Sequence, residues 1–213
     1  MSTAGENTPV QTKMRREPVQ ARSQQRVKLL LDTTAELVDE VGMEGVTTGL
    51  LAERAKVSIG SVYRFFPDRI SLMRALSERN LERYVTRFTT ELEQGQVEGW
   101  EEALEITVDQ FVEMHETEPG FRALRFGDVI DERLLDGTES NNGVLADPFK
   151  SLLVNRLGIE DNDLLVRQIN VATEICDGLL SRAFFVDPEG DRWLIEECKT
   201  VVHDYLAGRL RLA

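Results

Sequence analysis

The chain has 213 residues, enough to bury a sizeable hydrophobic core, and a net charge of −13. No run of about 18 apolar residues occurs, so a transmembrane helix is not expected. The charged N-terminal region lacks the apolar segment of a secretory signal, which predicts a cytoplasmic protein without a membrane partner. Its two cysteines, Cys176 and Cys198, have no paired spacing and its two histidines are far apart, which predicts free buried thiols and no metal site.

The acidic charge is unevenly distributed along the chain. Residues 1–69 hold ten Lys/Arg and nine Asp/Glu, a net charge of +1, whereas residues 70–213 have a net charge of −14. Charges more than roughly 8 Å apart are largely screened at physiological salt, so the local sign decides which surface meets a polyanion. DNA is therefore expected at the N-terminal part only, and the acidic remainder disfavours a membrane surface.

The first 20 residues are polar and show no apolar periodicity, which predicts a flexible basic arm over residues 1–20. Two interpretations stay open. The arm is either a disordered tail without a function, or a segment that contacts DNA through its basic side chains, Lys13, Arg15 and Arg16.

An amphipathic helix is predicted next, from about Ala21 to Val41, because apolar side chains recur on one side at helical spacing. Gly42 is a natural residue to end it, since glycine readily adopts the left-handed backbone of a helix C-terminus. Arg22 and Arg26 near its start lie either beside phosphates or in solvent.

Two short helices joined at an angle follow. The hydroxyl groups of Thr47 or Thr48 can cap the first helix, and Ser58 can cap the second. On the second helix, Gly60 and Arg64 lie opposite the apolar side at about 100° per residue. The second helix thus presents small, hydroxyl-bearing and cationic residues to a DNA groove, which is the arrangement of a helix-turn-helix.

The segment Val57–Phe66 (VSIGSVYRFF), followed by Pro67–Leu72 (PDRISL), resembles the signature of the TetR family of transcriptional regulators. The similarity covers roughly residues 22–80. The family usually has glycine in the turn between the two helices, where this chain has Lys56. If that position needs a left-handed backbone, lysine costs ~1 kcal/mol relative to glycine, so a slightly strained turn is expected.

The resemblance implies an all-α fold in which a three-helix DNA-binding headpiece (residues 21–69) is joined by a long helix to a larger ligand-binding and dimerisation body (residues 70–213). It also implies a homodimeric repressor that binds a palindromic DNA operator and is released by a small, largely apolar effector. The alternative is a DNA-binding activator or scaffold without a small-molecule ligand.

The chemistry of the headpiece residues predicts a division of labour on DNA. Hydroxyl groups can donate to phosphate oxygens, and Gly60 lets the backbone approach the groove closely. Arg64 suits either a bidentate contact to guanine or a phosphate contact, and Ile59 suits either the core or a thymine methyl group. Arg69, where the family usually has lysine, is expected at a phosphate. The candidate DNA-binding residues are Thr47, Thr48, Ser58, Ile59, Gly60, Ser61, Tyr63, Arg64 and Arg69.

The remainder of the chain also follows helical periodicity, and no stretch alternates like a strand. A long helix over about residues 68–92 is the expected route from the body to the headpiece. The further predicted helices cover about residues 100–115, 121–135, 145–157, 162–185 and 192–210.

Aromatic residues on the middle helices are candidates for an apolar ligand cavity, although an aromatic residue at helical spacing is more often an ordinary core residue. His115 is a candidate for a hydrogen bond to a ligand. The candidate pocket residues are Trp100, Phe111, Met114, His115, Phe121, Phe126 and Phe149.

The last two long helices carry broad apolar coverage with small residues such as Gly178, which permit close helix approach. The pair is either buried within one monomer or forms a two-fold four-helix dimer interface, and the family resemblance implies the interface. The candidate interface residues are Ala172, Ile175, Leu179, Ala183, Val201, Val202 and Tyr205.

Enzyme motifs are not found in the sequence: it has no nucleophile elbow, phosphate-binding loop, dinucleotide fingerprint or zinc motif. The abundant carboxylates are ordinary solvated groups of helix faces. We therefore expect no enzymatic activity, no catalytic residue and no cofactor.

Overall fold

The computed structural model describes residues 16–95, 97–122 and 141–210, and all regular structure within these ranges is helical. The prediction of an all-α chain is confirmed. No helix of these ranges has the length and apolar character needed to cross a bilayer. The helices are α1 (Arg16–Gly45), α2 (Thr48–Arg54), α3 (Ile59–Phe65), α4 (Arg69–Gln94), α5 (Trp100–Thr117), α6 (Asn141–Asn155), α7 (Asp163–Val186) and α8 (Arg192–Ala207).

The first helix begins earlier than predicted. It begins at Arg16, so the last residues of the expected flexible arm are helical, which corrects that boundary. Gly42 has a non-helical backbone, with a φ of 72° and a ψ of 164°, so it ends the main part of the helix as predicted, and a short helical turn continues after it to Gly45. Residues 1–15, with Lys13 and Arg15, lie outside the described residues.

The helix-turn-helix has both predicted caps and the predicted strained turn. Thr47 Oγ1 accepts a hydrogen bond from Leu50 N at 3.1 Å, and Ser58 Oγ accepts one from Ser61 N at 3.2 Å. Lys56 has a φ of 53° and is the only non-glycine residue with a positive φ in the described part of the chain. Its side chain therefore lies on a backbone that favours glycine.

Two hydrophobic cores form, and α4 contributes to both of them. Its first turns bring Leu72 and Leu76 into the headpiece core, together with residues of α1, α2 and α3. Its later turns bring Tyr84 and Phe88 into the core of the body. Asp68 caps the helix by accepting a hydrogen bond from the backbone of Ser71 at 2.7 Å. One continuous helix thus links headpiece and body.

The body consists of α5–α8 packed on the second half of α4. Among the described helices, α7 and α8 make the most extensive contact with each other, and Asn162 and Asp191 cap them. Gly190, in the turn between them, has a φ of 85°, and a Cβ there would lie 3.0 Å from Phe184 and Ile195. Because only glycine fits this turn, α7 and α8 pack closely at that end.

His115 lies inside an aromatic cluster of the body. Its ring stacks on Phe184 with 4.1 Å between centroids, and Phe111 and Phe121 lie at 4.5 and 4.7 Å. Burial lowers the pKa of His115 to about 4, a hydrogen bond with the Phe111 carbonyl opposes this shift, and the charge of Arg122 adds to it. The imidazole is therefore neutral at pH 7, with Nδ1–H donating to Phe111 O at 3.0 Å.

Replacement of Lys56 by glycine should raise the free energy of unfolding by ~1 kcal/mol, because glycine adopts a positive φ without a Cβ penalty. Chemical denaturation of the wild type and Lys56→Gly measures the difference. Lys56→Ala serves as the control, since it removes the charge but keeps the Cβ. Equal gains in both variants would assign the effect to charge and contradict backbone strain.

The neutral His115 should make stability depend on pH. Its pKa in the fold, about 4, lies below the ordinary value of 6.5, so the unfolded chain binds the proton more tightly. The resulting stabilisation, at most about 3 kcal/mol, is complete above pH 6.5 and is lost as the pH falls towards 4. The decrease in the free energy of unfolding between pH 7 and pH 4.5 should therefore be smaller for His115→Gln than for the wild type. Equal decreases in the two proteins would contradict an origin in His115.

Candidate nucleic-acid interface and internal cavity

The outward face of α3 exposes the residues that sequence chemistry favours for DNA. Ile59 is 50% exposed, so the core alternative for this side chain is wrong. A Cβ on Gly60 would meet no atom within 4 Å from the rest of the described chain, so packing among the described residues does not explain this glycine. Arg64 is exposed, with its guanidinium 5.7 Å from the centre of the Phe65 ring. All three are open to a macromolecule approaching α3.

A side-chain hydrogen bond connects the two short helices next to this face. Thr48 Oγ1 donates to the Tyr63 hydroxyl at 3.1 Å, which joins the start of α2 to α3. Tyr63 remains 49% exposed, so its hydroxyl stays accessible beside Ser61. Sequence reasoning treated Thr48 and Tyr63 as separate phosphate donors and missed their contact, because residues 15 positions apart carry no local signal.

Two arginines of the headpiece are held by groups of α1. Arg69 Nη1 donates to the carbonyls of Met43 and Glu44 at 3.3 and 3.4 Å, so it ties α4 to the end of α1. Arg54 forms a bidentate pair with Glu40 at 2.7 and 2.8 Å. The hydrogen bond from Arg54 lowers the pKa of Glu40. Arg64 of α3, in contrast, is exposed and has its guanidinium over the Phe65 ring.

An internal cavity of about 50 Å³ lies in the body between α4, α5, α6, α7 and α8. Its wall is mainly apolar and aromatic, and Phe111 and Phe149 belong to it as predicted. Tyr84 of α4 also borders the cavity, although sequence reasoning placed it only in an apolar stripe. The helix that joins headpiece and body therefore forms part of the cavity wall.

Four of the other predicted pocket residues are buried but do not line this cavity. Trp100 stacks on His203 with 5.2 Å between ring centroids, while Met114 and Phe121 are fully buried in the core. His115 instead borders a surface cleft against α1. Phe126 lies outside the described residues. Helical spacing identifies a buried face but not which of its residues border empty space, and the role of these residues in a ligand pocket stays a prediction.

The hydroxyl groups of the cavity wall are already bonded to helix carbonyls. The Tyr84 hydroxyl donates to Thr107 O at 3.0 Å, and Thr173 Oγ1 donates to Ile169 O at 3.0 Å. Burial raises the pKa of Tyr84, so the phenol stays neutral. A hydrogen bond with Cys198 and burial raise the pKa of the wall residue Cys176. This part of the wall offers a ligand mostly apolar surface.

A set of charged side chains connects the headpiece to the body, and we call it the junction network: Asp32, Arg79, Arg83, Arg87 and Glu118. Arg79 of α4 pairs with Asp32 of α1 at 2.9 Å. Arg83 also pairs with the largely buried Glu118, which follows α5, and Arg87 reaches the same carboxylate at 3.4 Å. Desolvation lowers the pKa of Arg79. The network crosslinks α1, α4 and the end of α5.

A glycine turn after α5 reinforces this junction. Gly120 N donates to Asp39 Oδ2 of α1 at 2.9 Å. Gly120 has a φ of 74°, and a Cβ there would lie 3.0 Å from Ala35 Cα. The body therefore touches the backbone of α1 directly, which sequence patterns alone did not indicate.

The structure corrects part of the predicted dimer interface. Ala172, Ala183 and Val202 are 6%, 0% and 0% exposed within the single chain, and the first and last of them line the cavity. They face α7–α8 packing and cannot form an outer surface. Ile175, Leu179 and Tyr205 are half-buried and Val201 is 36% exposed, so these four remain accessible in part.

An exposed apolar stripe on α7 was missed by sequence reasoning. Leu164, Val171 and Phe185 are 62%, 43% and 71% exposed, and Gly178 lies between them at the same seven-residue spacing. Trp193 at the start of α8 is 68% exposed. The seven-residue repeat was the available signal, since it keeps side chains on one face of a helix.

Two curated proteins resemble parts of the chain. The HTH-type transcriptional repressor KstR of Rhodococcus jostii is 38% identical over 63 residues, which is 30% of each chain. The nucleoid occlusion factor SlmA of Glaesserella parasuis is 30% identical over 118 residues, 55% of this chain and 56% of that protein. The chain thus spans between about a third and about half of the length of these curated relatives.

Family models and a crystal structure cover more of the chain. The model of bacterial regulatory proteins of the tetR family matches residues 30–76, and the model of the tetracyclin repressor-like C-terminal domain matches residues 98–210. A TetR-family transcriptional regulator from Streptomyces coelicolor is 38% identical and aligns with 87% of this chain and 99% of its own, with a TM-score of 0.74. The chain therefore belongs to the TetR family of transcriptional regulators.

Proposed function

We propose that the chain acts as a homodimeric repressor that binds a palindromic DNA operator and is released by a small, largely apolar effector. The observation that carries the proposal is the position of α4. This one helix enters the core of a headpiece whose α3 is open to DNA, and its residue Tyr84 borders an internal apolar cavity. Occupation of the cavity and orientation of the headpiece are thereby mechanically linked.

The proposed DNA contacts follow from the exposed face of α3. Arg64 reads a base, Ile59 contacts a thymine methyl group and Gly60 allows close approach. The hydroxyl groups of Thr47, Thr48, Ser58, Ser61 and Tyr63, together with Arg69, contact phosphates. The net charge of +1 on residues 1–69, against −14 beyond, supports approach through this end alone.

The proposed dimer uses the exposed stripe of α7 with α8. Gly178 lies near the middle of a 24-residue helix, where glycine costs roughly 1 kcal/mol relative to alanine, and a Cβ built there would have no neighbour within 4 Å from another element of the described chain. Close approach of a second α7 explains this glycine. Leu164, Val171 and Phe185 would be buried by the same contact, and two recognition helices would then face two half-sites.

The proposed release mechanism follows from the size of the cavity. Pockets for small ligands usually measure about 300–1,000 Å³, whereas this cavity measures about 50 Å³. An effector must therefore push the surrounding helices apart, and α4 is one of them. An effector that prefers the DNA-incompetent arrangement a hundredfold contributes about 2.7 kcal/mol of coupling.

The first experiment is selection of bound duplexes from a random pool by the purified protein, followed by a screen for compounds that release the selected site. Enrichment of a two-fold symmetric site supports a dimeric DNA-reading regulator. Release of the selected DNA by an apolar compound supports the repressor. If no compound releases the DNA, the activator or scaffold without a small-molecule ligand is favoured. Failure to enrich any sequence with folded protein contradicts DNA reading.

Replacement of Arg64 by alanine should weaken binding to the selected operator by about 1–3 kcal/mol and relax the base preference at one position of each half-site. Binding isotherms on operator variants measure both effects. Arg54→Ala is the matched control, because Arg54 is already engaged by Glu40. Uniform weakening with an unchanged base preference would instead assign Arg64 to a phosphate.

Replacement of Gly178 by arginine should produce a folded monomer, with dimerisation weakened by at least about a hundredfold, because a charge would be buried between apolar helices. Analytical ultracentrifugation measures the association, and circular dichroism checks the helices. Thr90→Arg, on the exposed side of α4, is the control. A Gly178→Arg protein that remains dimeric would place the interface elsewhere.

A further inference from the structure

Two polar groups on α4 are buried without a hydrogen-bond partner in the described part of the chain. They are Ser77 Oγ and Asn80 Nδ2, on side chains that are 6% and 0% exposed. Buried polar groups in folded proteins are nearly always hydrogen-bonded, so each exception needs an explanation. Two such groups one turn apart on the same helix are unexpected from folding requirements alone.

The two groups lie on the side of α4 that also faces the cavity. At about 100° per residue, Ser77, Asn80 and Tyr84 fall within one arc about 60° wide. Tyr84 borders the cavity. Asn80 lies about 6 Å and Ser77 about 10 Å from it along the helix axis, towards the headpiece. A cavity that expands along α4 in this direction therefore meets Asn80 first and Ser77 next.

The contacts of Asn80 orient its amide. Its Oδ1 accepts hydrogen bonds from Arg79 Nε and Nη2 at 3.4 and 3.3 Å. Arginine only donates, so this assigns the oxygen to the Arg79 side and leaves Nδ2 as the donor that needs an acceptor. Ser77 adds a hydroxyl that can donate to the same acceptor. Together they match an oxygen atom with lone pairs.

We propose that Ser77 and Asn80 form a polar subsite that binds a hydrogen-bond-accepting oxygen of the effector, such as a carbonyl oxygen, while its apolar remainder fills the cavity beside Tyr84. The proposal rests on the proposed function and defines the effector as an apolar molecule with one acceptor group at its headpiece end. The hydroxyls of Tyr84 and Thr173 already donate to helix carbonyls, so they do not compete for this oxygen.

The same subsite lies next to the junction network. Asn80 contacts Arg79, and Arg79 pairs with Asp32 of α1 at 2.9 Å. An effector oxygen that accepts a hydrogen bond from Asn80 Nδ2 therefore also affects Arg79, the side chain that connects α4 to α1 of the headpiece. Asn80 is in this respect a positioning residue as well as a ligand contact.

A measurement without any effector tests the unpartnered state of Ser77. Ser77→Ala should raise the melting temperature by about 2–6 °C, because it removes a buried hydroxyl that has no hydrogen-bond partner in the described part of the chain. Thr86→Val is the control, since its exposed hydroxyl already donates to Glu82 O. A lower or unchanged melting temperature of Ser77→Ala overturns the subsite.

Binding of two matched probes tests the chemistry of the subsite. The probes are 4-phenylbutan-2-one and n-butylbenzene, which share a carbon skeleton and differ by one carbonyl oxygen. Calorimetry on the full chain should show that Asn80→Leu shifts the ketone-to-hydrocarbon affinity ratio at least about tenfold towards the hydrocarbon. Thr86→Val should leave the ratio unchanged.

The outcomes separate the subsite from the proposed function. Binding of both probes with the same ratio in wild type and Asn80→Leu overturns the subsite and leaves an apolar effector cavity in place. Binding of neither probe to the wild type counts against the cavity as an effector site and overturns both proposals.

Discussion

The structure depends on the membership of α4 in two hydrophobic cores. Leu72 and Leu76 cannot leave the headpiece core, and Tyr84 and Phe88 cannot leave the body core, without exposing large apolar surfaces. The helix between them is continuous and capped by Asp68, so it connects the two cores directly. The junction network adds ion pairs through Asp32, Arg79 and Glu118, which tie α1 and the end of α5 to the same stretch of α4. The orientation of the headpiece is therefore expected to depend on how the body is packed.

Several residues are poorly explained by folding of a single chain, and they lie where the proposed function needs them. Lys56 occupies a left-handed position in the helix-turn-helix turn, Gly178 weakens the middle of α7, and Ser77 and Asn80 each bury one polar atom that has no hydrogen-bond partner in the described part of the chain. Local departures from good packing and propensity persist in natural proteins mainly where function requires them. The proposed DNA contacts, dimer surface and effector subsite would account for these departures.

Sequence reasoning succeeded where signals are local and failed where they depend on tertiary packing. The caps of Thr47 and Ser58 and the positive φ of Lys56 were predictable, because each depends on residues within one turn. The outer face of α7 and α8 was not predictable, since Val171 is exposed while Ala172 is buried, and Val201 is exposed while Val202 is buried. Two adjacent residues of similar hydrophobicity differ in direction by about 100° around the helix axis. Which of the two is buried depends on where the neighbouring helices pack. The pairing of Arg83 with Glu118 likewise joins residues 35 positions apart and carries no sequence pattern.

The small cavity and the junction network together favour a mechanism in which the effector displaces helices of the body. They disfavour one in which the effector releases DNA only by making the body more rigid. A body that encloses only about 50 Å³ gains contacts with an effector only when its helices separate, and α5 borders the cavity through Phe111. The chain leaving α5 carries Glu118 and Gly120, which hold α4 and α1 respectively. A shift of α5 away from the cavity thus cannot leave both of these contacts unchanged. In the proposed mechanism the effector therefore acts on the headpiece through α4 and α1 at the same time, so either helix alone would transmit only part of its coupling free energy.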